Sequence, residues 1–198
     1  TAEGGMLVTD NEEWAEAARR MTMYGISDAR KIWGRYAPTG TWMYDVAELG
    51  LKCNMPDILA ALGVSQMRKF ALMQARRAEN AAIYDEALAG LPTLRLPVRQ
   101  PYALHAWHLY PLQLVRPDLP EARDFLIEQL RERGIGTSVL FIPLHLHSYY
   151  CARLGGDTEG MFPVAEKIFR GLVNIPVSPS ISVDEIRHVA RSIRELCG

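Results

Sequence analysis

Four of the five histidines stand in pairs, His105 with His108 in HAWHLY and His145 with His147 in PLHLH. Imidazole nitrogens so spaced can ligate zinc, move a proton or hold a ligand hydroxyl. Residues three apart on a strand face opposite sides, so His105 and His108 do not converge there, and neither pair has an acidic residue or cysteine beside it; no metal site is assigned. His145 and His147 would share one face of an extended segment, and Pro143 places them at a strand end, where functional side chains tend to project. GLKCNMPDI sets Lys52 and Asn54 at a helix start. Cation, amide and helix N-terminus together could receive a phosphate, and a capped helix on a solvated turn accounts for the same residues equally well. Cys53 adjoins Lys52, which could lower its pKa, but no histidine neighbours it as a base. Trp33, Tyr36, Trp42 and Tyr44 could stack on a ring or anchor their loop.

The elements that must position these residues can be read from local pattern. GGMLVTD reads as a turn feeding a short strand, and Thr9 or Asp10 as the cap of a helix with Glu12 and Glu13 in its first turn, ending near Gly25. Ile26 to Gly50 has no clear period, and at about 25 residues it exceeds an ordinary connection, as functional loops do. Beyond Pro56 and Asp57, the stripe Ala60, Val64, Met67, Ala71, Ala75, Ala78 and Ala82 predicts one long helix or two consecutive ones, closed by Gly90 and Pro92. LRLPV, HLYPLQLV and GTSVLFI read as strands, and LPEARDFLIEQLRERG, FPVAEKIFRGL and SVDEIRHVARSIRELCG as helices, the last with Ser182 and Glu185 as a capping box. The alternation after residue 92 predicts a small α+β unit behind a mainly helical portion.

Composition narrows the function classes. The 198 residues are 48% hydrophobic and 23% charged with a formal net charge of −1, enough to bury a core and without the basic footprint of a nucleic-acid or membrane-surface protein. No apolar run reaches the ~20 residues of a spanning helix. Cys53, Cys151 and Cys197 are odd in number and unpatterned, which predicts free thiols and a cytoplasmic location. The opening TAEGGMLVTD, without an initiator methionine, reads as a piece of a longer chain.

In order, TAEGGMLVTDNEEWAEAARRMTMYGI, ELGLKCNMPDILAALGVSQMRKF, HAWHLYPLQL, LRERGIGTSVLFIPLHLHSYY, FPVAEKI and NIPVSPSISVDEI resemble the C-terminal half of the DegT/StrS sugar aminotransferases. These are fold type I enzymes dependent on pyridoxal phosphate (PLP). The resemblance implies an α/β and α+β architecture, with residues 1–91 ending the large cofactor domain and carrying a dimer-crossing loop, and residues 92–198 forming the small C-terminal domain. It implies Schiff-base chemistry on PLP, a nucleotide-linked keto sugar and an amino donor, glutamate as a rule, as partners, and a homodimer. WGRY ahead of GLKCNMPDI is similar to members that aminate UDP-linked or other nucleotide-linked 4-keto sugars.

The resemblance also assigns residues. The Schiff-base lysine is expected upstream of Thr1, none of Lys31, Lys52, Lys69 or Lys167 matches it, and the chain by itself is therefore expected to be inactive. Glu3, Gly4 and Gly5 match the turn after that lysine. Lys52 and Asn54 match the loop that reaches the partner subunit's site near the cofactor phosphate. His145 matches a histidine near the sugar nucleotide, with His147, Tyr149 and Tyr150 supporting it, and Leu140 stands where many relatives have a histidine. Two alternatives stay open: a sugar dehydratase in which histidine replaces the lysine, and a non-catalytic dimerisation module.

Overall fold

The computed structural model describes residues 1–27, 44–115 and 120–198; Trp33, Tyr36 and Trp42 lie outside them. The chain divides into two compact units, Thr1–Lys69 and Phe70–Gly198. That division falls inside the long helix, whereas the sequence reading draws its domain line after it, at residues 91/92.

In the first unit, helix α1 spans Glu12–Met21 and is capped by Asn11, whose side chain accepts from the Trp14 N–H. Neither Thr9 nor Asp10 is the cap. The Thr9 hydroxyl instead accepts the Asn11 N–H at 3.1 Å, a local turn that moves the start one residue on. The strand expected in GGMLVTD does not form: Met6 and Val8 are exposed, and among the described residues no neighbouring strand completes a ladder there. Beyond α1, β1 (Ile26–Ser27) pairs antiparallel with β2 (Asp45–Val46). The pairing continues past the sheet through Tyr24 N–H to Leu51 O at 2.9 Å, Leu51 N–H to Met21 O at 2.7 Å and Cys53 N–H to Thr22 O at 3.0 Å. Two glycines allow this approach. A Cβ on Gly25, at φ +72°, would sit 1.8 Å from Glu48 O, and one on Gly50 would sit 2.0 Å from Gly25 N; no other residue fits either place.

Helix α2 is a single helix, Asp57–Leu88. Its buried residues are Asn80, Ala81, Tyr84 and Leu88, so the predicted alanine stripe is not the core face. Alanine spacing reports helical period, but the large side chains choose the buried face, and Val64 and Met67 of the stripe are exposed.

The core lies in the second unit. Strands β3 (Leu94–Arg95), β4 (Tyr110–Leu114) and β5 (Leu172–Ile175) form an antiparallel sheet in the order β3-β4-β5, with Tyr110 opposite Ile175 and Leu112 opposite Val173. Period two puts Tyr110, Leu112, Val173 and Ile175 on one buried face. They join Leu126 and Leu130 of α3 (Pro120–Glu132), Ile186, Val189, Ala190 and Ile193 of α6 (Val183–Cys197), and Ala81, Tyr84 and Leu88 of α2. The Ser182–Glu185 capping box of α6 is present. Burial raises the Tyr84 and Tyr110 hydroxyls well above the usual phenol range, and both act as hydrogen-bond donors. Tyr84 reaches Pro176 O at 2.7 Å and Tyr110 reaches Asp85 at 2.6 Å.

Two predicted elements differ. GTSVLFI is not a strand: only Ser138 bridges to Asn174, and Phe141 beyond it is 91% exposed. Conversely, β5 occupies LVNI, where the reading ran the helix that is α5 (Pro163–Gly171) through Leu172. Helix α5 ends at Gly171 and the strand begins at the next residue, so no turn residues separate the two periods.

Candidate functional site

In the first unit, the ladder that Gly25 and Gly50 permit carries Lys52 and Asn54 just ahead of α2. Lys52 bridges to Met23 in that ladder. Its ammonium donates to Asn54 Oδ1 and to Met23 Sδ at 3.4 Å, and lies 5.3 Å from the centre of the Tyr24 ring. These contacts are with uncharged groups. A cation held this way is oriented without being neutralised, which suits it to an incoming anion. Glu3, Gly4 and Gly5 are exposed. A Cβ on Gly4 would come within 3.1 Å of Met55 Cε, while Gly5 has open space around it.

In the second unit, the opening HLH segment is not extended. A 3-10 turn, Leu144–Leu146, follows Pro143, and helix α4 (Ser148–Arg153) begins directly after His147. The turn sends the two histidines apart: His145 is 7% exposed, and His147 is exposed at the start of α4. The expectation that they lie side by side is therefore overturned, because a turn replaces the period of two on which it rested.

His145 is built into a polar cluster. Its Nε2 lies 2.9 Å from Oε1 of Glu166, a residue 3% exposed in the first turn of α5 (Pro163–Gly171). The same carboxylate accepts the Gly160 N–H at 2.9 Å and the Phe162 N–H at 3.3 Å, with Arg170 Nη2 at 3.5 Å. The hydrogen bond from His145, followed by the Gly160 and Phe162 N–H groups, holds the Glu166 carboxyl below the usual carboxylate range despite its burial. On the other side, the His145 carbonyl accepts from Cys151 Sγ at 3.0 Å and from the Thr158 hydroxyl. The Phe162 ring meets the imidazole edge-on at 4.8 Å.

Tyr149 and Tyr150 do not support His145 as expected. They stack edge to face on each other at 5.2 Å, and Arg153 lies over Tyr149. The supporting residue that sequence reasoning missed is Glu166. In the sequence it stands four residues before Arg170 on α5, which reads as an ordinary surface ion pair and gives no sign of the histidine 21 residues earlier.

The HAWHLY histidines do other work. Trp107 is buried at φ +48°, a region that costs a non-glycine residue roughly 1–3 kcal/mol. His105 Nδ1 accepts its N–H at 2.9 Å, Arg99 lies over its ring at 4.6 Å, and Arg77 donates to its carbonyl at 3.2 Å. His108 lines a separate cleft of about 380 Å³ with Arg77, Ser138, Asn174 and Ser178. Among the described residues no group of three or more His, Cys, Asp or Glu could hold a metal ion, and no helix is long and apolar enough to cross a membrane.

The DegT/DnrJ/EryC1/StrS aminotransferase family matches residues 1–194. The chain belongs to this family. It is 40% identical to the spore coat polysaccharide biosynthesis protein SpsC of Bacillus subtilis over 197 residues, which is 99% of the chain and 50% of SpsC. Among solved structures, the sugar aminotransferase CalS13 of Micromonospora echinospora superposes with a TM-score of 0.74 at 26% identity, over 93% of the chain and 45% of CalS13. Spr1654 of Streptococcus pneumoniae in its PLP-form gives a TM-score of 0.80 at 25% identity, over 96% of the chain and 44% of its own. The chain thus spans about half the length of the curated relatives it matches. Its mixed α/β structure is that of the corresponding part of the aminotransferase fold.

Proposed function

We propose that the chain is part of a PLP-dependent nucleotide-sugar aminotransferase, a cytoplasmic homodimer that moves an amino group, with glutamate as donor, onto a nucleotide-linked keto sugar. The observation that carries this reading is Lys52. Its ammonium is oriented by Asn54, Met23 and Tyr24 with no carboxylate among these partners, the arrangement a phosphate monoester would complete. In family members these positions stand near the cofactor phosphate of the partner subunit. Bound PLP supplies an electron sink for proton transfer at the carbon bearing the amino nitrogen. In this chain Lys52 balances phosphate charge and Asn54 fixes the direction of the ammonium. The Schiff-base lysine is expected upstream of Thr1, and residues 92–198 are proposed as the small C-terminal domain of the complete enzyme, a boundary later in the chain than the Lys69/Phe70 division. We also propose that His145 and His147 meet the sugar nucleotide.

The test is cofactor retention by Lys52→Ala and Asn54→Ala variants of the complete protein, measured by equilibrium dialysis against PLP. A charge-assisted hydrogen bond contributes about 1.5–3 kcal/mol, so Lys52→Ala should weaken retention roughly ten- to a hundredfold, and Asn54→Ala by less. Unchanged affinity in both variants would remove these residues from the phosphate site.

A further inference from the structure

Glu166 is placed only to accept. Its carboxylate takes the Gly160 and Phe162 N–H groups and faces His145 Nε2 at 2.9 Å. An ionised carboxylate has no proton to give, so Nε2 must carry the one between them. In the neutral ring this leaves Nδ1 with the lone pair. Nδ1 has no hydrogen-bond partner among the described residues, and it is not one of the fully buried polar atoms left without a partner, Ser27 Oγ and Asn174 Oδ1. The ring cannot turn over to exchange its nitrogens without losing Glu166, and the 3-10 turn behind it is tied by Cys151 and Thr158 to the His145 carbonyl. The imidazole is therefore fixed in both position and tautomer, with one acceptor nitrogen turned away from the carboxylate.

We propose that Glu166 is a positioning residue: it holds His145 as the Nε2–H tautomer, so that Nδ1 accepts a hydrogen bond from a hydroxyl of the sugar-bearing substrate. This rests on the reading that His145 meets the sugar nucleotide, and it adds which nitrogen does so and what sets it. The ligand group it selects is a donor. A carbonyl or phosphate oxygen at the same place would face a lone pair and be rejected while the ring is neutral.

Nitrogen-15 NMR on protein labelled at histidine tests the tautomer without substrate. Recorded over a pH series carried up until the His145 signals stop moving, the neutral ring should show a protonated, pyrrole-like Nε2 and a bare, pyridine-like Nδ1; a neutral ring with its proton on Nδ1, or in rapid exchange between the two, overturns the proposal. The Glu166 oxygen that faces His145 is the one that takes the Gly160 and Phe162 N–H groups, so a Gln amide oxygen could stand in for it; Glu166→Leu removes the acceptor altogether and should free the ring proton to redistribute between Nε2 and Nδ1. A variant that folds and keeps Nε2–H overturns the role of Glu166, and if it does not fold the wild-type spectrum decides alone. The same variant should raise KM for the sugar nucleotide about tenfold, the cost of one lost hydrogen bond, without changing KM for the amino donor. Normal kinetics in His145→Ala would instead sink the substrate reading and leave the tautomer result standing.

Discussion

At the scale of single residues, the sequence shows which groups can do chemistry but not which of them are already occupied. Two histidines one residue apart look like equals in PLHLH, yet one is buried against Glu166 and the other is exposed. His145 is expected to matter for binding more than for the cofactor. His145→Ala should raise the sugar-nucleotide KM or lower kcat while leaving the PLP absorbance spectrum unchanged; steady-state kinetics beside the spectrum reads both. A changed cofactor spectrum would move His145 out of the substrate site. Lys52 and Asn54 stand two residues apart in the sequence and their side chains meet in the structure, a contact that needs no remote partner. Glu166 was not legible, because its partner lies 21 residues earlier and only the turn at Leu144–Leu146 brings them together.

At the scale of elements, local chemistry predicts well where it is self-sufficient. The capping box of α6 needs only Ser182 and Glu185, and it forms as read. Replacing Ser182 with Ala removes a cap worth about 1 kcal/mol, a fall in Tm of roughly 2–4 °C for a chain of this size, which calorimetry can measure. Its pH dependence follows from Glu185. The Ser182 hydroxyl and then the Ser182 N–H hold that carboxyl below the usual range. A carboxyl depressed in the folded state contributes stability that is fully present above its unfolded pKa and is lost as pH falls through the folded value. The wild-type and Ser182→Ala melting temperatures should therefore converge on acidification; a constant gap would detach Glu185 from the cap. Strands fared worse than helices. GGMLVTD and GTSVLFI carry strand-like residues but find no full ladder, whereas LVNI became β5 because β4 lies beside it. A strand is a property of a pair, and half of each pair is remote in sequence.

At the scale of the whole molecule, the chain belongs to the DegT/DnrJ/EryC1/StrS aminotransferase family and spans about half the length of the curated relatives it matches. A net charge of −1 gives no reason to expect nucleic acid. Within the first unit, Leu49, Leu51, Ile58, Leu62 and Met67 are exposed, apolar side chains that the proposed homodimer would cover. Sedimentation equilibrium of the complete protein should give a dimer at micromolar concentration; a monomer throughout would remove the shared-site arrangement proposed for Lys52 and Asn54.

What the sequence by itself determined is whatever depends on neighbours along the chain: the long helices α1, α2, α3 and α6, the capping box of α6, and the family through segments in fixed order. Tertiary structure decided which face of α2 is buried, which strand-like runs pair, and which histidine is locked. Those outcomes depend on burial and on partners far apart in sequence. The carboxylate of Glu166 costs too much to bury alone, and it becomes stable only where His145, Gly160 and Phe162 all donate to it.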